Sequence, residues 1–244
     1  MLLETRKLSK NFGGLQVLNN LDISLPEGQL TSIIGPNGAG KTTLFNVISG
    51  RFPPSSGQVF FAGQDISGLK PHVISQMGLV RSFQITNVFT FLTVHENVRL
   101  ACQSRLAQKV SLVKPAASFG LEERTRDILA RIGLLPRQDK LAGELSHGDQ
   151  RHLEIGMTLA TNPKLLLLDE PTSGMSPAET VETMDLIQEI SKSVTLLLIE
   201  HDMNLVMNIS KKIIVLDYGE KIAEGSPEEI ETNPEVRRVY LGES

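Results

Sequence analysis

Residues 30–48 read LTSIIGPNGAGKTTLFNVI and give the strongest indication of the fold. The first five residues form a short apolar run that suits a buried strand, and the residues from Thr42 onward can continue as a helix. Between them, residues 35–42 fit the phosphate-loop pattern G-x-x-x-x-G-K-S/T. A loop of this kind between a strand and a helix predicts a binding site for a nucleoside triphosphate.

Each residue type in the loop has a chemical reason to be there. Glycines carry no Cβ, so the backbone can take positive φ and turn its N–H groups towards phosphate oxygens. Lys41 supplies a charge for the β- and γ-phosphates, and the Thr42 hydroxyl is placed to ligate Mg²⁺. A glycine-rich turn can also serve packing alone, but the Lys-Thr pair favours phosphate binding. The predicted phosphate-binding residues are Gly35, Pro36, Asn37, Gly38, Ala39, Gly40, Lys41, Thr42 and Thr43.

Composition narrows the class of protein. The chain has 244 residues, one cysteine and a formal net charge of −4, which suits one large domain with an insertion. Acidic and basic residues are interspersed, so we expect no nucleic-acid partner. A lone cysteine excludes an internal disulfide, and no apolar run is long enough to span a bilayer or to form a signal peptide. We expect a soluble cytoplasmic protein, which leaves room for attachment through a membrane-embedded partner.

Short apolar runs alternate with helical stretches along the chain, which predicts an α/β fold with a largely parallel sheet. From about residue 93 to 133 the pattern changes to amphipathic helix, which predicts a helical insertion, with an irregular connection at 114–120. The runs predicted as strands are 30–34, 58–62, 164–168, 194–199 and 212–216.

Two carboxylates, Asp169 and Glu170, follow one of the predicted strands. Open α/β sheets bind ligands at the carboxyl ends of their strands. Asp169 suits Mg²⁺, directly or through water, whereas Glu170 can polarise an attacking water as a general base. An acidic pair can also end a strand at the surface, but a phosphate loop needs such a carboxylate to complete its metal site.

Residues 145–151 read LSHGDQR and predict the start of a helix. Ser146 and Asp149 have the spacing of a capping box, so Ser146 is predicted to begin a helix. Gly148 in the first turn would offer exposed N–H groups and the positive helix end to a phosphate. On its own, the segment would indicate only a helix cap.

This segment resembles the signature sequence of the ATP-binding cassette (ABC) ATPases, usually LSGGQ, and the other motifs follow in that family's order over the whole chain. The resemblance implies a phosphate-loop NTPase (RecA-like) core with an antiparallel β edge and a helical subdomain inserted at about 85–160. It implies that Gln84 contacts Mg²⁺ or the attacking water. His201 matches the switch histidine beside the γ-phosphate, and Phe12 matches the aromatic residue that stacks on adenine.

The resemblance also implies partners. Ser146 and Gly148 would bind ATP held by a second ATPase subunit, either a copy of this chain or a paralogue. Three residues depart from the family pattern: His147 and Asp149 in the signature, and Ser176 where the following loop usually has aspartate. The charge of Asp149 is expected to weaken ATP-driven closure, unless its carboxylate is occupied by the Ser146 N–H.

Three stretches, 81–84, 93–98 and 233–243, look like the ATPases of branched-chain amino acid importers. We therefore expect uptake of branched-chain or related amino acids, with permease subunits, a periplasmic binding protein and a location on the inner face of the cell membrane. The family docks its membrane subunit after the glutamine loop, where Ile85, Val88, Phe89, Phe91 and Leu92 form an apolar stretch. The alternatives are a urea or amide importer, lipopolysaccharide export, a cassette ATPase outside transport, and a module that binds nucleotide without hydrolysis.

Overall fold

The computed structural model describes residues 1–82, 88–106 and 120–241 of the chain. The strands in this part of the chain are β1 (Leu3–Phe12), β2 (Leu15–Leu25), β3 (Leu30–Ile34), β4 (Ser56–Phe61), β5 (Gln64–Asp65), β6 (Leu79–Arg81), β7 (Leu165–Asp169), β8 (Thr195–Ile199), β9 (Lys212–Asp217) and β10 (Glu220–Gly225). The α-helices are α1 (Lys41–Ile48), α2 (Pro71–Met77), α3 (Val94–Leu106), α4 (Leu121–Arg131), α5 (His147–Ala160), α6 (Pro177–Ser191), α7 (Met203–Ile209), α8 (Pro227–Thr232) and α9 (Pro234–Leu241).

The larger sheet confirms the predicted parallel α/β core. It has six strands in the order β10-β9-β3-β8-β7-β6, and only β10 runs antiparallel to its neighbour. All five residues of β3, β7 and β8 are buried, as expected for parallel strands covered on both faces. Because these strands are parallel neighbours, the segments that follow them meet at one edge of the sheet: the phosphate loop, Glu170 and His201.

The smaller sheet is antiparallel, with four strands in the order β2-β1-β4-β5. It provides the antiparallel edge that the family resemblance implies. Of its strands, β4 (Ser56–Phe61) is the one that overlaps a predicted run, 58–62. Register shifts interrupt the pairing of β1 with β2 and with β4, so the alternation of buried and exposed residues in β1 is broken.

The chain divides into two compact units. The first comprises Met1–Arg81, Lys164–Glu170 and Gln188–Ser244, and it contains both sheets. The second comprises Ser82–Pro163 and Pro171–Ile187, where α3 packs against α4 and α5. The boundaries predicted for an inserted subdomain, about 85–160, stay a prediction.

The two amphipathic helices predicted between residues 93 and 133 are present as α3 and α4. Val94, Val98 and Cys102 recur at four-residue spacing on the buried face of α3, and each is fully buried. The connection predicted at 114–120 lies outside the described residues, except for Gly120 at the start of α4. In the described part of the chain, no helix is both long and apolar enough to cross a bilayer.

Candidate functional site

The phosphate loop joins β3 to α1 and borders a cavity of about 200 Å³. Residues 37–43 all line this cavity, together with Val17 and Glu170. The structure therefore brings most of the predicted loop residues to one space and adds a carboxylate from the end of β7. Gly35 and Pro36 lie behind the cavity lining, where their carbonyl oxygens meet a loop side chain.

Two glycines let the loop sit directly against neighbouring strands. At Gly40, where φ is 98°, an added Cβ would lie 2.8 Å from the Val17 carbonyl oxygen of β2. At Gly35, a Cβ would lie 2.2 Å from the Leu216 carbonyl oxygen of β9. Both separations are too short for a side chain, so the loop geometry requires glycine at these positions.

Lys41 is held by the loop that it belongs to. Its side chain is buried, and Nζ donates hydrogen bonds to the carbonyl oxygens of Gly35 at 2.6 Å and Pro36 at 3.0 Å. Burial lowers the pKa of Lys41, while the charges of Glu170 and Asp169 act in the opposite direction. The site therefore presents a partly desolvated ammonium group beside two carboxylates.

The neighbouring carboxylates of Asp169 and Glu170 have different environments. Asp169 is fully buried, and its Oδ2 accepts a hydrogen bond from Arg81 Nη2 at 2.6 Å. Glu170 lines the cavity, and its backbone N–H donates to the Ile199 carbonyl oxygen at 2.9 Å. A φ of 45° at Glu170 is unusual for a residue with a side chain and marks the turn at the end of β7.

Sequence reasoning missed Arg81 as a component of this site. It lies in β6, which pairs in parallel with β7 and has only three residues. A strand of that length leaves no periodic pattern. The charge of Arg81 could have indicated its role, because an arginine beside buried apolar residues needs a carboxylate partner.

Two residues assigned through the family resemblance, His201 and Phe12, lie outside the cavity lining. The His201 side chain, at the end of β8, is 63% exposed, and its Nδ1 lies 3.7 Å from Glu200 Oε2. Phe12 ends β1, where its ring meets Phe52 edge-on with 5.3 Å between the centroids, and Lys10 Nζ lies 5.0 Å from the Phe12 centroid. Their nucleotide contacts stay predictions, and Gln84 lies outside the described residues.

The signature segment begins α5 as predicted. Ser146 is the N-cap residue, and its Oγ accepts a hydrogen bond from the Asp149 N–H at 3.2 Å. The Asp149 carboxylate pairs with Arg137 Nη1 at 2.7 Å rather than with the Ser146 N–H. The reciprocal half of the capping box is thus replaced by an ion pair.

Glu179 is a second residue that sequence reasoning missed. Its Oε1 accepts the Gly148 N–H at 3.2 Å, and its Oε2 accepts the N–H and the hydroxyl of Ser176 at 3.0 and 2.8 Å. The hydrogen bonds from Ser176, and then the one from Gly148, lower the pKa of Glu179. One carboxylate therefore joins the first turn of α5 to the start of α6.

Comparisons with known proteins agree on the family. The profile of the ABC transporter family matches residues 18–173, and that of the branched-chain amino acid ATP-binding cassette transporters matches residues 220–244. The high-affinity branched-chain amino acid transport ATP-binding protein LivG of Salmonella typhimurium is 43% identical over 252 aligned positions, which cover 100% of this chain and 98% of that protein.

Solved structures give the same result. The ADP conformation of an ATP-binding cassette of an ABC transporter superposes with a TM-score of 0.84 at 34% identity and covers 99% of both chains. A dimeric post-hydrolysis cassette bound to ADP and Pi gives 0.76 at 25% identity, covering 92% of this chain and 98% of that one. With a phosphate loop, a strand-end carboxylate pair and a capped signature helix in the matching order, the chain belongs to the ABC transporter family as an ATP-binding cassette ATPase.

Proposed function

We propose that this ATPase uses Mg²⁺ and ATP to energise the uptake of branched-chain or related amino acids. The nucleotide site is inferred from one observation: Lys41, Thr42 and Glu170 line the same cavity. A cation, a hydroxyl and a carboxylate in that arrangement are the groups that phosphoryl transfer to water requires.

Phosphate oxygens are expected to replace the carbonyl oxygens that accept hydrogen bonds from Lys41 in this structure. The two carbonyl oxygens that now accept from Nζ are neutral, whereas phosphate oxygens are charged and form stronger hydrogen bonds with an ammonium group. The α1 N-terminus at Gly40 adds backbone N–H groups and a favourable dipole. Lys41 therefore binds the β- and γ-phosphates in preference to its own loop.

The residues at the cavity also fit a Mg²⁺ ion. Within residues 1–82, 88–106 and 120–241, no three His, Cys, Asp or Glu side chains cluster as an all-protein metal cage would need. Mg²⁺ in nucleotide sites instead keeps several waters and takes few protein ligands beside phosphate oxygens. Thr42 would hold it directly, Asp169 directly or through water, and Gln84 is proposed as a further contact. When bound, the ion neutralises charge on the phosphate oxygens.

Hydrolysis is assigned to the side chains at the ends of β7 and β8. Glu170 accepts a proton from the attacking water, because it lines the cavity, whereas Asp169 is fully buried and its Oδ2 is hydrogen-bonded to Arg81. His201 is exposed and free to approach the γ-phosphate when nucleotide binds, and it would polarise that group. The different environments of Asp169 and Glu170 support separate roles for the two carboxylates.

A second ATPase subunit completes each site in this proposal. Ser146 and Gly148 at the N-terminus of α5 would bind the γ-phosphate of ATP on the other subunit. The cassette that was solved as a dimer with ADP and Pi supports the pairing of two ATPase subunits. Two chains closing over two nucleotides would supply the movement that drives transport.

The permease is proposed to dock on the segment around Phe91. Phe91 is 92% exposed and Phe89 is 54% exposed, so this part of the surface is strongly apolar. The buried Asn97 holds the segment in place, since its amide donates to the carbonyl oxygens of Phe89 and Thr93 and accepts the Phe89 N–H. Docking there would place the chain on the inner face of the membrane, with a periplasmic binding protein delivering the cargo.

Reconstitution tests the proposal. The chain is combined in proteoliposomes with permease subunits of a branched-chain amino acid importer, and uptake of labelled leucine is compared with uptake of urea. ATP-dependent leucine uptake that is lost in Glu170→Gln is the expected result. Uptake of urea alone, or stimulation of ATP hydrolysis by lipopolysaccharide but not by leucine, would overturn the cargo assignment.

A further inference from the structure

Arg81 connects the buried carboxylate of the site to the helix that follows the phosphate loop. Its Nη2 donates to Asp169 Oδ2 at 2.6 Å, and its Nη1 donates to Asn46 Oδ1 at 2.7 Å. Asn46 lies on α1, which begins at Lys41. The guanidinium therefore ties the end of β7 to the helix of the phosphate loop through two hydrogen bonds.

The environment of Arg81 indicates that this position needs the positive charge of the side chain more than its apolar packing. The side chain is 11% exposed, and the guanidinium carbon lies 5.6 Å from the centroid of the Phe45 ring. Its Nε is buried with no hydrogen-bond partner in the described part of the chain. A buried donor left unsatisfied is unfavourable, so the cation is retained here despite that cost.

A buried carboxylate at Asp169 needs a cation when no metal is bound. An unpaired charge in a protein interior is strongly unfavourable, and a bare carboxylate would also repel a triphosphate. Lys41 is also a nearby cation, but its Nζ is hydrogen-bonded to Gly35 and Pro36. Arg81 is the cation whose hydrogen bond to the Asp169 carboxylate the structure shows.

We propose that Arg81 is a positioning residue that takes the place of the metal charge beside Asp169 and keeps that carboxylate oriented until Mg²⁺ binds. The inference rests on the proposed role of Asp169 at the Mg²⁺ site. It implies that Arg81 and Mg²⁺ repel each other across the same carboxylate. Removing the arginine should therefore increase the amount by which Mg²⁺ strengthens nucleotide binding.

The experiment measures this coupling directly by calorimetry. The dissociation constant of ADP is determined with Mg²⁺ and with EDTA for the full chain, and their ratio is compared between wild type and Arg81→Met. We expect the ratio of the EDTA value to the Mg²⁺ value to rise about tenfold. A role in packing alone would change both dissociation constants by the same factor and leave the ratio unaltered.

Two matched variants separate charge from geometry. Arg81→Lys keeps the charge without the planar fork, so its ratio should stay within about threefold of wild type. Asn46→Leu removes only the tether to α1 and should leave the ratio at the wild-type value. An unchanged ratio in Arg81→Met, or an equal rise in Arg81→Lys, would overturn the proposal.

The ratio of dissociation constants can still be tested if the Arg81→Met variant does not fold. If Arg81→Met does not fold because Asp169 loses its partner, Arg81→Gln is used instead, since its amide is an uncharged donor for the Asp169 carboxylate. Its ratio should again be higher than that of wild type, and an equal ratio would refute the idea. If Mg²⁺ has no effect on ADP affinity even in wild type, the proposed metal site fails rather than the role of Arg81.

Discussion

Replacing Arg137 with glutamine should weaken the ATP-driven dimer, because it exposes the charge of Asp149. The carboxylate lies in the first turn of α5, next to the residues proposed to bind the partner's γ-phosphate. In this structure Arg137 Nη1 lies 2.7 Å from Asp149 Oδ1, so the two charges largely cancel beyond their immediate surroundings. The signature departure at Asp149 is therefore compensated within the same chain.

The size of the effect follows from the exposure of the pair. The Asp149 side chain is 19% exposed and that of Arg137 is 46% exposed, so solvent reaches both partners and reduces the strength of the ion pair. Like charges about 4 Å apart in a water-like dielectric repel by about 1 kcal/mol, which is about fivefold in affinity. We expect Arg137→Gln to weaken association by about that factor for each bridged nucleotide.

Sedimentation equilibrium with ATP, in a Glu170→Gln background that prevents hydrolysis, provides the measurement. Adding Asp149→Gln to Arg137→Gln should restore association, and Asp149→Gln alone should tighten it because an unpaired cation remains. Arg126→Gln is the matched control, since it removes an exposed charge from α4 and leaves the ion pair of Asp149 with Arg137 intact. Equal association of Arg137→Gln and the control would refute the reasoning, as would a loss that persists at high salt.

Three further changes test the site itself. Glu170→Gln should lower turnover by a factor of order 10² to 10⁴ while ATP affinity measured by calorimetry stays nearly unchanged, and retained turnover would remove Glu170 as the general base. Lys41→Ala should weaken ATP binding, because the lost charge contacts ground-state phosphates, and an unaltered titration would contradict the proposed phosphate site. Gly40→Ala should destabilise the chain in urea unfolding more than Gly63→Ala. Both positions have positive φ, but only at Gly40 would the Cβ meet Val17, so equal losses would show that the contact is unimportant.

The parts of the fold that local pattern determines could be predicted from the sequence. The bounds of β3 and the start of α1 follow from a few adjacent residues, as do the carboxylates after β7. β1 was not predicted, because register shifts break its alternation. The ion pair of Arg81 with Asp169 joins positions that are 88 apart in the chain, and no local periodicity encodes such a partner.

Because Glu179 accepts a hydrogen bond from the signature helix, an anion that binds at the signature must displace the Glu179 carboxylate. The Gly148 N–H is already satisfied by this carboxylate, so an anion arriving there must compete with an internal one. The affinity measured for such an anion is then the difference between two interactions and is weaker than the intrinsic value. A displaced Glu179 would still be bonded to Ser176, so the exchange would also alter the forces on the first turn of α6.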